Sequence, residues 1–388
     1  MLYLVKITKP TDLHYCVYLV ALLLNACSSL PTATTDAKWA DVAQHTLTHT
    51  WSADIGEPPT DTASFSIQPQ LDNKQIFTLD VTGLVQSRQR DTGSLLWEQQ
   101  LPADTYSGID VQHELIVVTA QSGTLLALDK EKGSILWRHQ LPASILSSAK
   151  IAQKQVIAQL DNEQLLSLDS KSAKVLWRYY SGSTPFLTLR GTATPHIDGS
   201  VVYTGFANGN FIALDSTNGS LLWQQNLIKE GNKDTKTNIS DIDSSFSVEG
   251  DYIFAHTHTG KLTAVNKETG RVIWRSSVTS KYPPVTSANS VYVVDLDNYL
   301  YALDKITGEI RWMQGALQSS KLSAPLTLLY YVVIGDEHGN LYLISQTDGI
   351  FVSSLDLGEA ITGNSLVSYK DSLFLIDNDA TLHALRLE

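Results

Sequence analysis

The eleven residues Ala127–Trp137, ALDKEKGSILW, occur again in closely similar form at Ala213 (ALDSTNGSLLW), Ala264 (AVNKETGRVIW) and Ala302 (ALDKITGEIRW). All four copies keep an Ala, an Asp or Asn two residues later, a Gly four residues after that, and a Trp four residues further on. A catalytic motif usually occurs once, whereas a segment that recurs at regular intervals is typical of a repeat architecture. The segment therefore predicts a repeat architecture and not a catalytic site.

Weaker copies with the same spacing complete the series. The eight copies begin at positions 87, 127, 167, 213, 264, 302, 343 and 384, so that the steps between them are 40, 40, 46, 51, 38, 41 and 41 residues. A period near 40 residues is typical of propeller blades with four strands each. Short β-branched and aromatic runs fall between the copies, as expected for strands: Leu115–Ala120, Val201–Phe206, Val291–Asp295 and Tyr330–Gly335.

The eighth copy begins at Ala384 and reaches Glu388 before its Gly and Trp. Trp51, in contrast, has no copy before it. If the first strand of the chain completes the last blade, Trp51 supplies the missing Trp and the ring has no free sheet edge at its seam. The sequence therefore predicts an all-β, eight-bladed β-propeller of four-stranded antiparallel blades, with the last blade closed by the N-terminal strand.

The repeated residues have structural roles in this interpretation. Trp fills the wedge between neighbouring blades, Asp begins a turn by accepting backbone N–H bonds, and Gly supplies a positive φ. None of these roles is chemical, so no catalytic residue is predicted among them. The predicted repeat tryptophans are Trp51, Trp97, Trp137, Trp177, Trp223, Trp274 and Trp312.

Composition excludes several classes of protein. The 388 residues are 43% hydrophobic and 18% charged, enough to bury a large core, and the net charge of −12 argues against a nucleic-acid partner. The chain has two cysteines, Cys16 and Cys27, both near its start. The rest of the sequence therefore has no disulfide, no thiolate metal site and no Cys nucleophile.

The start of the chain has the pattern of a secretory signal. Lys6 and Lys9 precede the apolar run Cys16–Leu24, whose nine residues are too few to span a bilayer, which needs about 20. The following Leu24–Cys27, LNAC, resembles the lipobox of bacterial lipoproteins. That resemblance implies cleavage before Cys27, acylation of Cys27 and, with Ser28 next, sorting to the outer membrane. We expect a signal peptide over residues 1–26, a lipidated and flexible tether over 27–45, and the propeller over 46–388.

The repeat resembles that of pyrroloquinoline-quinone dehydrogenases and their non-enzymatic relatives. An enzyme of this family implies a vicinal disulfide, a calcium site and a catalytic Asp, and the body of this chain has no cysteine. We therefore expect no enzyme activity, no cofactor and no metal site. A small periplasmic quinoprotein, or an adaptor for another envelope complex, remains the alternative. His256 and His258 alternate along a strand without a third ligand nearby, and we expect an exposed polar pair.

Two adjacent blades carry insertions. The interval from the Trp position to the next copy is 28 to 31 residues in five blades, but 36 after Trp177 and 41 after Trp223; the first interval, after Trp51, is also 36. Insertions in equivalent connections fall on one face of a repeat protein, often the binding face. The first contains Leu187, Leu189 and Arg190, and the second contains Asp241 and Asp243. An internal ion pair between Arg190 and one aspartate, or a protein-docking patch, would both fit.

FLTLRG followed by SDID in the next blade, VDLDN from Val294, and the lipobox resemble the BamB family, lipoproteins of the outer-membrane β-barrel assembly machinery. The resemblance implies a chain that is lipid-anchored on the periplasmic face of the outer membrane of a Gram-negative bacterium. It implies docking on the periplasmic domains of BamA beside other assembly subunits, with unfolded outer-membrane proteins as a further candidate partner. The residues carried over by motif are Leu187, Leu189, Arg190, Asp241 and Asp243. Ser87–Gln89 and Ser353 depart from the repeat and put the packing of their blades in question.

Overall fold

The computed structural model describes residues 37–41, 45–58, 67–102, 104–182, 193–227, 246–256, 262–280 and 282–388. Within these ranges the chain forms 32 strands and no helix, and the strands make eight four-stranded sheets. Seven sheets use four consecutive strands, and the eighth has the order β1-β32-β31-β30. The predicted eight-bladed propeller, closed by the N-terminal strand, is confirmed.

The strands of a blade are called A to D in sheet order, and the first strands of neighbouring blades contact one another around the centre of the ring. Blades 1 to 4 consist of β2 (Gln70–Leu71), β3 (Gln75–Leu79), β4 (Leu84–Gln89), β5 (Leu95–Gln100), β6 (Tyr106–Gln112), β7 (Leu115–Ala120), β8 (Thr124–Asp129), β9 (Ile135–Gln140), β10 (Lys150–Ala152), β11 (Gln155–Gln159), β12 (Gln164–Asp169), β13 (Val175–Tyr180), β14 (His196–Asp198), β15 (Val201–Gly205), β16 (Asn210–Asp215) and β17 (Leu221–Asn226). Blades 5 to 8 consist of β18 (Ser247–Glu249), β19 (Tyr252–Ala255), β20 (Thr263–Asn266), β21 (Val272–Arg275), β22 (Val285–Thr286), β23 (Ser290–Val294), β24 (Leu300–Asp304), β25 (Ile310–Gln314), β26 (Leu326–Leu328), β27 (Tyr331–Gly335), β28 (Asn340–Ser345), β29 (Phe351–Asp356), β30 (Leu366–Tyr369), β31 (Ser372–Ile376), β32 (Thr381–Leu387) and β1 (Leu47–Asp54).

Antiparallel pairing gives the ring two distinct ends. The A–B and C–D turns lie at one end, which we call the turn end. The B–C turns and the connections from strand D to the next blade lie at the other, which we call the loop end. Strands B and C carry the buried residues of each blade, whereas strand D alternates between partly buried and exposed side chains. The core therefore lies between the blades and not in a single central cluster.

The repeated segment forms the joint between blades. In blade 2 the Ala127 and Trp137 Cα atoms are paired across strands C and D, and a β-bulge follows directly. The Trp137 Nε1–H donates to the Ser170 carbonyl in the C–D turn of blade 3, at 2.8 Å. Each predicted repeat Trp makes the same bond to the next blade, at 2.8 to 3.1 Å, so the predicted wedge role is confirmed.

The repeat Gly is required by both conformation and space. Gly308 has φ +74°, and a Cβ built there would lie 2.6 Å from the Trp274 ring. Ala173 occupies the equivalent position in blade 3 with φ +56°. The Asp role is also confirmed, since Asp129 Oδ1 accepts the Glu131 and Lys132 N–H groups at 3.0 and 2.9 Å.

The two departures from the repeat leave their blades intact. Ser87 is fully buried, and its Oγ donates to Gln75 Oε1 at 3.1 Å, as Ser167 does to Gln155 at 2.8 Å. Ser353 faces blade 8, where β32 ends at Leu387 and β1 begins at Leu47. No C–D turn joins these two strands, so a Trp at position 353 would have no turn to dock against.

The outer edge of blade 7 is covered by a segment that precedes β1. The Ala40 N–H donates to the Phe351 carbonyl at 2.8 Å, and the Phe351 N–H donates to the Lys38 carbonyl at 3.0 Å. The Trp39 and Phe351 rings are 5.2 Å apart. This part of the predicted flexible segment 27–45 is therefore bonded to the propeller. The predicted signal peptide, Cys27 and residues up to 36 lie outside the described residues.

In the described part of the chain, no helix is long and apolar enough to cross a membrane.

Candidate functional site

The five residues predicted to contact a partner lie in two connections outside the described residues. Leu187, Leu189 and Arg190 fall within 183–192, and Asp241 and Asp243 fall within 228–245. Their side-chain contacts, including the predicted pairing of Arg190 with an aspartate, stay predictions. The described residues on either side show where the two connections leave and rejoin the ring. Both run from a strand D to the next strand A, so both lie at the loop end.

One turn anchors the starts of both connections. Asn208, in the B–C turn of blade 4, donates from Nδ2 to the Ser181 carbonyl at 3.0 Å, which fixes the start of the first connection. The Leu227 N–H donates to the Gly209 carbonyl at 3.0 Å, and Asn226 Nδ2 donates to Asn210 Oδ1 at 3.0 Å, which fix the start of the second. The two insertions therefore both leave the ring beside a single turn.

Three of the four ends of the two connections share one hydrophobic cluster. Ala193, where the first connection returns, is fully buried in a cluster with Leu227 and Phe246, the two ends of the second connection. The Phe246 ring packs edge-on against Phe211, with centroids 4.7 Å apart. Because three of the four ends belong to one core, the two inserted loops have a rigid common base.

Tyr180 is an exposed aromatic side chain at this base that the sequence analysis did not single out. It ends β13 and is 57% exposed, whereas its neighbour Tyr179 packs against Phe206 at 6.2 Å. Burial raises the pKa of Tyr179. Exposed aromatic residues are enriched in protein interfaces. The signal in the sequence was the Tyr179–Tyr180 pair that follows the repeat Trp.

Buried carboxylates line the same end of the ring in four successive blades. Asp295 Oδ1 accepts the Asp297 and Tyr299 N–H groups, each at 2.9 Å, and its side chain also bonds Tyr301. Asp80, Asp336 and Asp377 hold their B–C turns in the same way. Burial raises the pKa of Asp295. These carboxylates bind backbone N–H groups, so their role is to hold turns and not to transfer protons.

A cavity of about 340 Å³ lies beside Asp295, Asp297 and Tyr301, and Ile310 and Met313 form its apolar side. Among the described residues, no group of three or more His, Cys, Asp and Glu side chains is arranged to hold a metal ion.

The prediction of an exposed histidine pair is wrong for His256. Its side chain is 3% exposed, and Nε2 lies 2.9 Å from the Ser280 carbonyl oxygen. His256 lies two residues after Phe254, the partner of the repeat Ala, and the equivalent Val294 in blade 6 is fully buried as well. His258 lies outside the described residues.

Eight four-stranded blades joined by a repeated Trp and Gly contact define the class of protein: an eight-bladed β-propeller built from pyrroloquinoline-quinone-like repeats. The family model described as "Outer membrane protein assembly factor BamB" matches residues 81–314 and 242–386. The chain belongs to the BamB family.

Two curated relatives carry the same name. The Pseudomonas aeruginosa protein is 40% identical over 348 residues, covering 87% of this chain and 89% of the relative. The Kangiella koreensis protein is 37% identical over 376 residues, covering 97% and 96%. Both are named outer membrane protein assembly factor BamB. The resemblance expected from the sequence is confirmed.

Solved structures agree on the fold. BamB from Moraxella catarrhalis has a TM-score of 0.77 at 24% identity and covers 88% of this chain and 100% of its own. A quinohemoprotein alcohol dehydrogenase from Pseudomonas putida has a TM-score of 0.66 at 10% identity, covering 88% of this chain and 76% of its own. Both likenesses are of fold alone, because propellers of this kind have unrelated functions.

Proposed function

We propose that this chain is a non-enzymatic scaffold of the outer-membrane protein assembly machinery of a Gram-negative bacterium. It docks on the periplasmic domains of BamA through the two inserted loops and assists the insertion of β-barrel proteins into the outer membrane. Leu187, Leu189 and Arg190 on the first loop and Asp241 and Asp243 on the second are the proposed contact residues. Acyl chains on Cys27 hold it on the periplasmic face of that membrane.

The observation that carries this proposal is the common base of the two loops. Asn208 and Gly209 anchor both starts, and Ala193, Leu227 and Phe246 place three of the four ends in one buried cluster. A base of this kind limits the separation of the two loops and favours a single composite surface. Such a surface combines apolar, basic and acidic side chains, which is the composition expected of an interface centre with a polar rim.

The place where the tether meets the ring indicates which way this surface faces. The chain enters blade 7 near Phe351, the first residue of its strand D, so the tether reaches the ring near the turn end. The inserted loops lie at the loop end. A lipid on Cys27 therefore holds the propeller from one end and leaves the loops at the other end, turned away from the tether.

Binding of the Cys27→Ser chain, starting at residue 27, to the isolated periplasmic domains of BamA tests the proposal by calorimetry. We expect Arg190→Ala or Asp241→Ala to lose about 2 kcal/mol or more of binding free energy, the scale of an interface hot spot. Tyr180→Ala should weaken binding to a smaller extent. Arg271→Ala is the matched control, because it removes an exposed arginine at the turn end.

Thermal melting of each variant separates docking from internal pairing. Loss of binding with an unchanged melt supports the docking surface. Wild-type binding by both Arg190→Ala and Asp241→Ala contradicts the residue assignment. If a variant both binds more weakly and melts at a lower temperature, the residues form an internal ion pair between the loops. The docking surface then lies elsewhere.

A further inference from the structure

Two histidines face each other across the seam that closes the ring. His49 lies on β1 and His383 lies on β32, the strands that join the two ends of the chain in blade 8. The Nε2 atom of His49 is 3.4 Å from the Nδ1 atom of His383. The rings are edge-on to each other, with an interplanar angle of 71° and centroids 5.6 Å apart. One ring nitrogen from each strand therefore points at the same small volume.

The other ring nitrogen of His383 is held by a buried carboxylate. Nε2 lies 2.9 Å from Asp377 Oδ2, and the Asp377 side chain is 1% exposed. Asp377 Oδ1 already accepts the Asp379 and Thr381 N–H groups at 3.0 and 2.8 Å, so the carboxylate cannot turn away. Since a carboxylate accepts hydrogen bonds, the His383 hydrogen resides on Nε2. Nδ1 therefore presents its lone pair to His49.

This arrangement is specific to the seam blade. The Asp and its partner recur as Asp295 with Tyr301 and Asp336 with Tyr342, neither of which offers a second nitrogen. The position equivalent to His49 holds an aliphatic or aromatic residue in the other blades: Leu95, Ile135, Val175, Leu221, Val272, Ile310 and Phe351. Blade 8 thus replaces two facing positions of the repeat with histidine at once. Packing alone does not require that change, because the other blades close without it.

We propose that His49 Nε2 and His383 Nδ1 bind a borderline transition-metal dication such as Zn²⁺, with Asp377 fixing the His383 ring and water completing the coordination. Two nitrogen ligands about 2.0–2.1 Å from a tetrahedral metal lie roughly 3.4 Å apart, which is the spacing of these two atoms. A carboxylate on the far nitrogen of a metal-bound imidazole is the usual outer partner of such sites.

The tautomers of the two rings and the exposure of His49 are both suited to a metal ion. Without metal, His49 Nε2–H donates to His383 Nδ1. Metal binding moves that hydrogen to His49 Nδ1, with no net loss of a proton. The described residues contain no cluster of three or more ligand side chains, so two protein ligands and exposed His49 leave open positions for water.

The site would tie the first strand of the propeller to the last. An ion that binds the closed ring and not the separated strands stabilises closure by mass action. This function is independent of docking through the inserted loops, which follow blades 3 and 4, whereas the two histidines lie in blade 8.

Titration of the untagged chain from residue 27, carrying Cys27→Ser, with ZnCl₂ at pH 7.5 tests the proposal by calorimetry. We expect one Zn²⁺ per chain, a higher melting temperature with Zn²⁺, and no effect of Mg²⁺. His49→Gln should weaken Zn²⁺ binding at least about 10-fold, and Asp377→Asn should weaken it about 10- to 100-fold. His113→Asn removes an exposed imidazole in blade 2 and should bind as the wild type does.

Two results of these titrations would contradict the metal site. The proposal fails if His49→Gln binds Zn²⁺ as tightly as the wild type and keeps the rise in melting temperature. It also fails if the wild type shows no heat of binding with Zn²⁺ at millimolar concentration. Because His49 is exposed, His49→Gln folds without rebuilding the core. Asp377→Asn affects a turn as well, so its binding is interpreted only beside its own melt.

Discussion

The indole of each repeat Trp makes two contacts of different kinds. Trp223 Nε1 donates to the Lys267 carbonyl at 3.0 Å, and the ring covers Gly270, where a Cβ would lie 2.6 Å away. Phe211 and Tyr203 pack against the same indole, at 6.1 and 6.0 Å between ring centroids. The residue therefore fixes the register of two blades and fills the space between them. The sequence predicted the second role, and the hydrogen bond adds the first.

Trp223→Ala should destabilise the protein by about 3–5 kcal/mol, the usual cost of truncating a core Trp. Leu222→Ala is the matched control, since Leu222 is adjacent but exposed, and its effect should stay within about 0.5 kcal/mol. Urea unfolding followed by tryptophan fluorescence and circular dichroism measures both. Equal midpoints for the two variants would contradict a role for Trp223 as a joint.

At the scale of the element, the C–D turns of blades 2 to 6 are each held by the Asp or Asn side chain that begins the turn. Asp304 Oδ1 accepts the Ile306 and Thr307 N–H groups, each at 2.9 Å. Its Oδ2 accepts a bond from Arg311 at 2.6 Å. The Arg311 bond is the leading cause that lowers the pKa of Asp304, from 3.8 to about 2. The same turn motif thus serves blades 2 to 6, while blade 6 adds an ion pair.

The depressed pKa of Asp304 predicts a pH effect. Its carboxylate stabilises the fold above the unfolded pKa of 3.8, and that contribution is lost as the pH falls to about 2. The pair is partly exposed, so solvent screens it and the effect should stay below about 1 kcal/mol. We expect Arg311→Gln to reduce the loss of stability between pH 4 and pH 2, measured by urea unfolding at several pH values in low salt. An identical pH profile in the variant would contradict the contribution of the pair.

At the scale of the whole molecule, the seam differs from the other joints. Blade 7 has Ser353 in place of a Trp, and the segment with Trp39 covers its outer edge instead. Blade 8 is held by β1, which pairs with β32 from Leu47 to Asp54. The ring therefore closes through strand pairing and the added segment. The joints between the other blades are instead formed by a repeat Trp that docks on a C–D turn.

Trp39→Ala should release this segment and leave the ring closed. We expect faster hydrogen exchange at the Ala40 and Phe351 amides, which bond across the two strands, and little change in blade 3. The global melting temperature should fall only slightly, since about 1 kcal/mol corresponds to roughly 2 °C or less in a chain longer than 250 residues. Unchanged exchange at Phe351 would show that the backbone pairing holds without the Trp39 ring.

The candidate site could be predicted only in part. The interval lengths after Trp177 and Trp223 located the two insertions, because the regular repeat length in the other blades makes a longer interval recognisable. The shared turn at Asn208 and the common cluster of Ala193, Leu227 and Phe246 could not be predicted, because they join residues of different blades. His256 was expected at the surface because its contact with the Ser280 carbonyl, 24 residues later in the chain, leaves no local pattern in the sequence.

The sequence by itself determined the blade count, the closing strand and the roles of Trp, Asp and Gly. These features follow from a short sequence pattern that occurs in eight copies, so that the copies can be compared with one another. Only the tertiary structure decided which residues meet across blades: Trp39 with Phe351, and His49 with His383 and Asp377. The physical reason is that closing a ring brings together positions more than 300 residues apart, and no periodicity records their distance in space.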